Sequence, residues 1–192
     1  MRAIQIIHDE HRSLAAVLHG MLFLVRQMRY AGEEPNFDVL AAMVHYIDVF
    51  SERFHHPKED QYLFRLLRLR HPDAIPLLAK LEDEHKMGAE KIRALEQALD
   101  HYQQGDTTKL PAFAAAAAAY AAFHYGHMRA EETEVLPLAR IHLTASDWEM
   151  IDAAFTSHAD PLVGVEAGIE YEKLFRRIVN LAPPPLGIGP TS

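Results

Sequence analysis

Two short segments of this chain each occur twice, and their spacing leaves few folds open. Asp9-Glu10-His11-Arg12 returns as Asp83-Glu84-His85-Lys86, and His55-x-x-x-Glu59 returns as His127-x-x-x-Glu131. His11 and His85 are 74 residues apart, His55 and His127 are 72 apart, so the chain reads as two hairpins of one plan. In a helix, residues four apart lie about 40° round the axis and about 6 Å along it, so both side chains can reach one point. A second acid follows each pair, Asp60 and Glu132, and then an aliphatic stripe.

The hydrophobic periodicity agrees. Apolar residues recur at three and four over residues 3–30 (Ile4, Ile7, Leu14, Val17, Leu18, Met21, Val25), 37–69 (Val39, Leu40, Met43, Ile47, Phe50), 75–103 (Leu78, Leu81, Ile92, Leu95, Leu99) and 111–141. Gly32 and Pro35, His71-Pro72, and Gly105 interrupt them. Pro57 falls inside the second helix and predicts a kink or short break beside His55, because it removes a backbone donor and clashes with the carbonyl of Arg53. The six alanines at 114–119 favour helix and are small enough to let a neighbour approach closely. Ser146-Asp147-Trp148-Glu149 has the form of a capping box opening a fifth helix, with Trp148 as its anchor. A last amphipathic segment includes Val165, Ile169 and Phe175. No period-two run competes, so the expectation is an all-α, up-down antiparallel four-helix bundle with one or two additional short C-terminal helices. Residues 1–142 would form the bundle, 143–182 a helical extension packed on it, and 183–192 a poorly ordered tail.

Composition removes several classes of function. The chain has no cysteine, which excludes thiolate metal sites, iron-sulfur ligation and cysteine nucleophiles. A net charge of −8 without a basic cluster argues against nucleic acid or an anionic membrane as partner. The N-terminal residues lack the apolar core of a signal peptide and no apolar run reaches membrane-spanning length, so a cytoplasmic protein is expected. Phosphate-loop, dinucleotide and nucleophile-elbow motifs are missing. Thirteen histidines are the unusual count.

Four helices supply His11, His55, His85 and His127 with Glu59 and Glu131. Four imidazoles and two bridging carboxylates in a bundle core are what two metal ions a few ångströms apart require. Such a donor set suits iron, with manganese or zinc as substitutes. The register is open at two places: His56 with Asp60 is spaced like His55 with Glu59, and Glu132 competes with Glu131. His8 and His124 are further candidates, as a fifth ligand or as donors behind the ligands. His19 stays open with His8, His56 and His124, while His45, His71, His101, His142 and His158 read as surface, loop or packing residues, and Tyr62, Tyr120 and Tyr125 as packing.

In this order, His11, His55-x-x-x-Glu59, His85 and His127-x-x-x-Glu131 resemble the hemerythrin-like, HHE cation-binding family over roughly residues 3–141. The resemblance implies a non-haem di-iron centre bridged by Glu59 and Glu131 and capped by the four histidines. Its ligand would be dioxygen, nitric oxide or peroxide, or iron itself, for sensing, storage or transport; a di-iron oxidase, peroxidase or iron-sulfur-cluster repair factor is the alternative. Two departures from the oxygen carriers stand out. Ala89 occupies the position where they place a second third-helix histidine, and the fourth-helix acid is Glu131 or Glu132 where they use an aspartate five residues after the histidine.

Overall fold

The computed structural model describes residues 1–105 and 107–156, which contain helices and no strand. The expected helix around Val165 to Phe175, the tail 183–192 and His158 lie outside the described residues. Helix α1 spans Arg2–Tyr30, and Gly32 turns the chain at a φ of 71°. Only a residue without Cβ adopts that backbone freely. Asn36 then opens α2 (Phe37–Ile47) by accepting the N–H of Val39 at 3.1 Å, an N-cap that satisfies one of the orphan donors of the first turn.

The second helical rod does not break at Pro57. It continues from α2 through a π-helical segment, Asp48–His55, a single α-turn, α3 (His56–Lys58), a second π segment, Glu59–Phe64, and α4 (Arg65–Arg70). The His56 N–H reaches back five residues to Ser51. Because Pro57 has no N–H for the carbonyl of Arg53, the wider turn costs little and relieves the ring clash that a tight α-turn would carry. A 3₁₀ turn, Pro72–Ala74, leads into α5 (Ile75–Gln103). After Gly105, at φ 97°, and a turn at Thr107–Lys109, α6 (Leu110–Ala130) begins. The fourth rod also passes through a π turn, Glu131–Val135, before α7 (Leu136–His142), with the Leu136 N–H on the Glu131 carbonyl.

Helix α8 (Ala145–Thr156) is capped two residues earlier than expected. Thr144, not Ser146, is the capping residue: its Oγ1 accepts the Asp147 N–H at 3.3 Å while the Asp147 carboxylate accepts the Thr144 N–H at 2.9 Å. Asp147 also takes both ends of the Arg70 guanidinium at 2.8 and 3.0 Å. These bonds hold its carboxyl well below the usual range, and they tie α8 to α4. Asp152 accepts the Ala3 N–H at 2.7 Å, fastening α8 to the start of α1.

Helix α1 packs against α2 and α6, and α5 packs against the same two. Two apolar clusters fill the interior. One contains Leu14, Leu18 and Met21 of α1 with Met43, Leu95, Ala117 and Tyr120. The other contains Ile4 and Ile7 of α1 with Leu63, Leu67, Leu81, Val135, Trp148 and Ile151. Each fully buried leucine or isoleucine contributes about 1.5–3 kcal/mol. Within the alanine run, Ala114 and Ala117 are buried and Ala115, Ala118 and Ala119 are exposed, so the run is one packed stripe with a solvated back. On every rod the polar residues of interest fall between the two clusters: His11 between Ile7 and Leu14, His85 between Leu81 and Ile92. No helix among the described residues is long and apolar enough to cross a membrane.

Candidate metal centre

The layer between the apolar clusters is polar and buried. His11, His55, His85 and His127 are each no more than 6% exposed, and Glu59 and Glu131 no more than 1%. They fall into two groups that share the glutamates. His11 Nε2 faces His55 Nε2 at 3.1 Å, with Glu59 Oε1 3.3 Å from His55 and Glu131 Oε2 3.3 Å from His11. His85 Nε2 faces His127 Nε2 at 3.0 Å, with Glu131 Oε1 3.2 Å from His127 and Glu59 Oε2 3.7 Å from His85. Each glutamate gives one oxygen to each group. Both groups have ligand atoms close enough together to hold an ion.

The outer nitrogens explain why the inner ones face each other. Every one of the four histidines has its Nδ1 on a carboxylate: His11 on Glu132 at 2.9 Å, His55 on Glu10 at 2.8 Å, His85 on Asp60 at 2.9 Å, His127 on Glu84 at 2.9 Å. An Nδ1–H donated to a carboxylate leaves Nε2 of a neutral imidazole as a lone pair. Two lone pairs about 3 Å apart repel unless something positive lies between them. Ligands about 2.1 Å from one ion stand about 3.0 Å apart at a right angle and about 3.4 Å apart at a tetrahedral one, which spans most of the separations found. The four oxygens of Glu59 and Glu131 are buried with no hydrogen-bond partner. A carboxylate in that state is tolerated only beside a cation. The donor set therefore fits metal: two pairs of imidazole nitrogens, two carboxylates shared between them, and four outer carboxylates fixing the tautomers.

The electrostatics say the same thing in protons. Burial pushes the His55 imidazole down, but Glu59 and Glu10 overcome it and hold the group well above the usual histidine range. Burial likewise opposes charge on His85, yet the Asp60 hydrogen bond and the nearby carboxylates of Glu131 and Glu59 raise it to about 10. His127 is raised against its burial chiefly by Glu131. Burial would raise Glu131 in turn, but His127, His11 and His85 hold it well below its ordinary value. The carboxylates demand positive charge in this layer, and without a cation His55, His85 and His127 take up protons to supply it.

The π turns place these groups. His55 ends the first π segment, Glu59 begins the second and Glu131 begins the third. The extra residue in each wider turn re-phases the side chains after it.

The residues open at the sequence level take distinct places. Asp60 and Glu132 are not in the inner layer: they hold Nδ1 of His85 and His11. His8 sits at the surface, 3.3 Å from Glu132. His56 stacks on His85 with ring centroids 4.0 Å apart and planes 13° from parallel. Its ring nitrogen comes within 4.8 Å of those of His85 and His127, but near-parallel stacked rings cannot aim in-plane lone pairs at one ion, so we read His56 as packing. Burial and the neighbouring histidines keep His56 well below its usual pKa, and they lower His124 to about 3. His19, His45 and His101 are exposed; His71 and His142 stack on each other at 3.9 Å. Spacing had not singled out Glu10 and Glu84, although both stand immediately before a repeated histidine. Arg53, a possible ion-pair partner for Glu59, pairs with Asp48.

An all-helical protein with a buried histidine and glutamate cluster able to hold metal belongs to a recognisable class. The family model of the hemerythrin HHE cation binding domain matches residues 2–139, most of the chain, and the chain belongs to that family. No curated protein sequence matches it significantly.

Proposed function

We propose that this chain is a cytoplasmic non-haem di-iron protein. His11 and His55 would hold one ion and His85 and His127 the other, with Glu59 and Glu131 bridging both, inside an up-down antiparallel four-helix bundle. The observation that carries this reading is the two facing pairs of Nε2 atoms with two unpartnered carboxylates shared between them. The bundle topology is supported by the order of the apolar clusters, which reverses from each rod to the next: Ile7 then Leu14, Phe50 then Leu63, Leu81 then Ile92, Ala121 then Val135. Nitrogen and carboxylate donors without thiolate favour iron, and manganese and zinc are substitutes.

Four protein donors per ion leave an octahedral ion with room for a small exogenous ligand, and bound iron would supply reversible one-electron chemistry to dioxygen, nitric oxide or peroxide. Binding for sensing, storage or transport is the function we assign. Metal analysis of protein reconstituted anaerobically with ferrous iron tests it: close to two irons per chain are expected, and well under one in Glu59→Ala and Glu131→Ala. Protein that rejects ferrous iron under these conditions refutes the assignment.

A further inference from the structure

Beside His127 lies a buried histidine that the metal reading does not use. His124 is three residues before His127 on α6 and 1% exposed, and neither of its ring nitrogens has a hydrogen-bond partner. Buried polar side chains in folded proteins nearly always find a partner, so two orphaned nitrogens on one ring require an account. Apolar packing supplies none for them. The ring lies 4.6 Å from that of Tyr120, 5.6 Å from Phe123, 5.8 Å and nearly parallel to His56, and 6.2 Å from His127.

His124 is close to the centre without being part of its inner layer. The charged groups that act on it are His127, Glu131, His55 and His85, all members of the centre. Among the described residues, the groups whose donor atoms converge to metal-holding distance do not include it. A neutral imidazole carries one N–H and one lone pair. Beside a metal pair, the N–H suits a small anion that enters the centre and has spare lone pairs of its own.

We propose that His124 donates a hydrogen bond to a small anionic ligand taken up on the His85 and His127 side of the centre. A polar contact then takes part in deciding what binds. This rests on the metal reading above, and it assigns the residue a role in binding the exogenous ligand, not the iron.

The test uses azide as probe on iron-loaded protein, with His124→Leu removing the donor and His124→Gln keeping one. Iron content and helicity are measured first, before azide is added. Wild type lacking iron at that stage defeats the metal reading and this proposal together, and is distinguishable from failure of the proposal alone. With iron bound, both variants are expected to keep the wild-type iron content. Azide affinity should fall about tenfold in His124→Leu, the size of one hydrogen bond to a charged acceptor, and stay within about threefold of wild type in His124→Gln. The infrared stretch of bound azide should shift in the leucine variant and move little in the glutamine one. Unchanged azide affinity in His124→Leu overturns the proposal, as does loss of iron or of helical structure in both variants, which would make His124 a ligand or a core residue.

Discussion

Glu84 and Asp83 are neighbours in one repeated tripeptide, and the structure assigns them opposite consequences. Glu84 accepts the Nδ1–H of His127 at 2.9 Å and is largely buried, whereas Asp83 pairs with Lys86 at 2.7 Å on the surface. Replacing Glu84 by alanine leaves that N–H unpaired beside a buried ring and frees the imidazole to rotate or to change tautomer. A hydrogen bond to a charged acceptor contributes about 1.5–3 kcal/mol, which is about 10- to 150-fold, and carboxylates behind metal-binding histidines typically change affinity about 10- to 100-fold. In the proposed di-iron centre, Glu84→Ala should therefore weaken one of the two iron equivalents, the one assigned to His85 and His127, by about 10- to 100-fold. Glu84→Gln retains an acceptor but not its charge and should lose about five- to tenfold. Asp83→Asn touches only an exposed pair and should leave both equivalents unchanged. Anaerobic competition against a ferrous chelator, titrated through both equivalents, reads all three variants. Wild-type binding in Glu84→Ala would refute the reasoning, and so would an equal loss in Asp83→Asn.

The pH dependence has a definite sign. His85 is raised to about 10 in the metal-free fold, above the value of about 6.5 for an unfolded histidine, so its contribution to stability is fully present below about pH 6.5. That contribution is lost as pH rises toward 10, by up to about 1.4 kcal/mol per pH unit. Metal displaces those protons, so the rise in melting temperature caused by metal should be larger at pH 9 than at pH 6, and proton release should accompany uptake; a smaller rise at pH 9 would contradict it. Asp147→Ala removes the α8 cap and the partner of Arg70 and should cost about 2–3 kcal/mol in chemical denaturation without changing iron stoichiometry. Ala117, fully buried in the alanine stripe, should tolerate leucine poorly, at about 1–3 kcal/mol, while leucine at exposed Ala118 should stay within about 0.5 kcal/mol.

Much of this was legible in the chain, for identifiable reasons. Spacing at three and four reports the face of a helix directly, which is why the helical segments and the Trp148 anchor could be read from residue order. It reports less well where the backbone leaves the α-helical period. Pro57 announced a disturbance, but that the chain would absorb it as π turns on both sides of His56 depends on how the flanking turns pack. Thr144 caps α8 in place of Ser146 through its box with Asp147, whose side chain is also held by Arg70, 77 residues away. No local signal contains that partner.

The centre divides along the same line. By itself the sequence determined an all-helical chain with two hairpins of one plan, and it named His11, His55, Glu59, His85, His127 and Glu131 as a group, because each belongs to a repeated element one helical turn long. Only the tertiary structure decided which acid faces inward and which stands behind. His55 with Glu59 and His56 with Asp60 are equivalent by spacing. They part because helix packing turns Glu59 into the buried layer and carries Asp60 to His85 of the other hairpin. Such pairings join residues far apart in the chain, and their geometry is fixed by the distance and rotation between helices, which a one-dimensional pattern does not record.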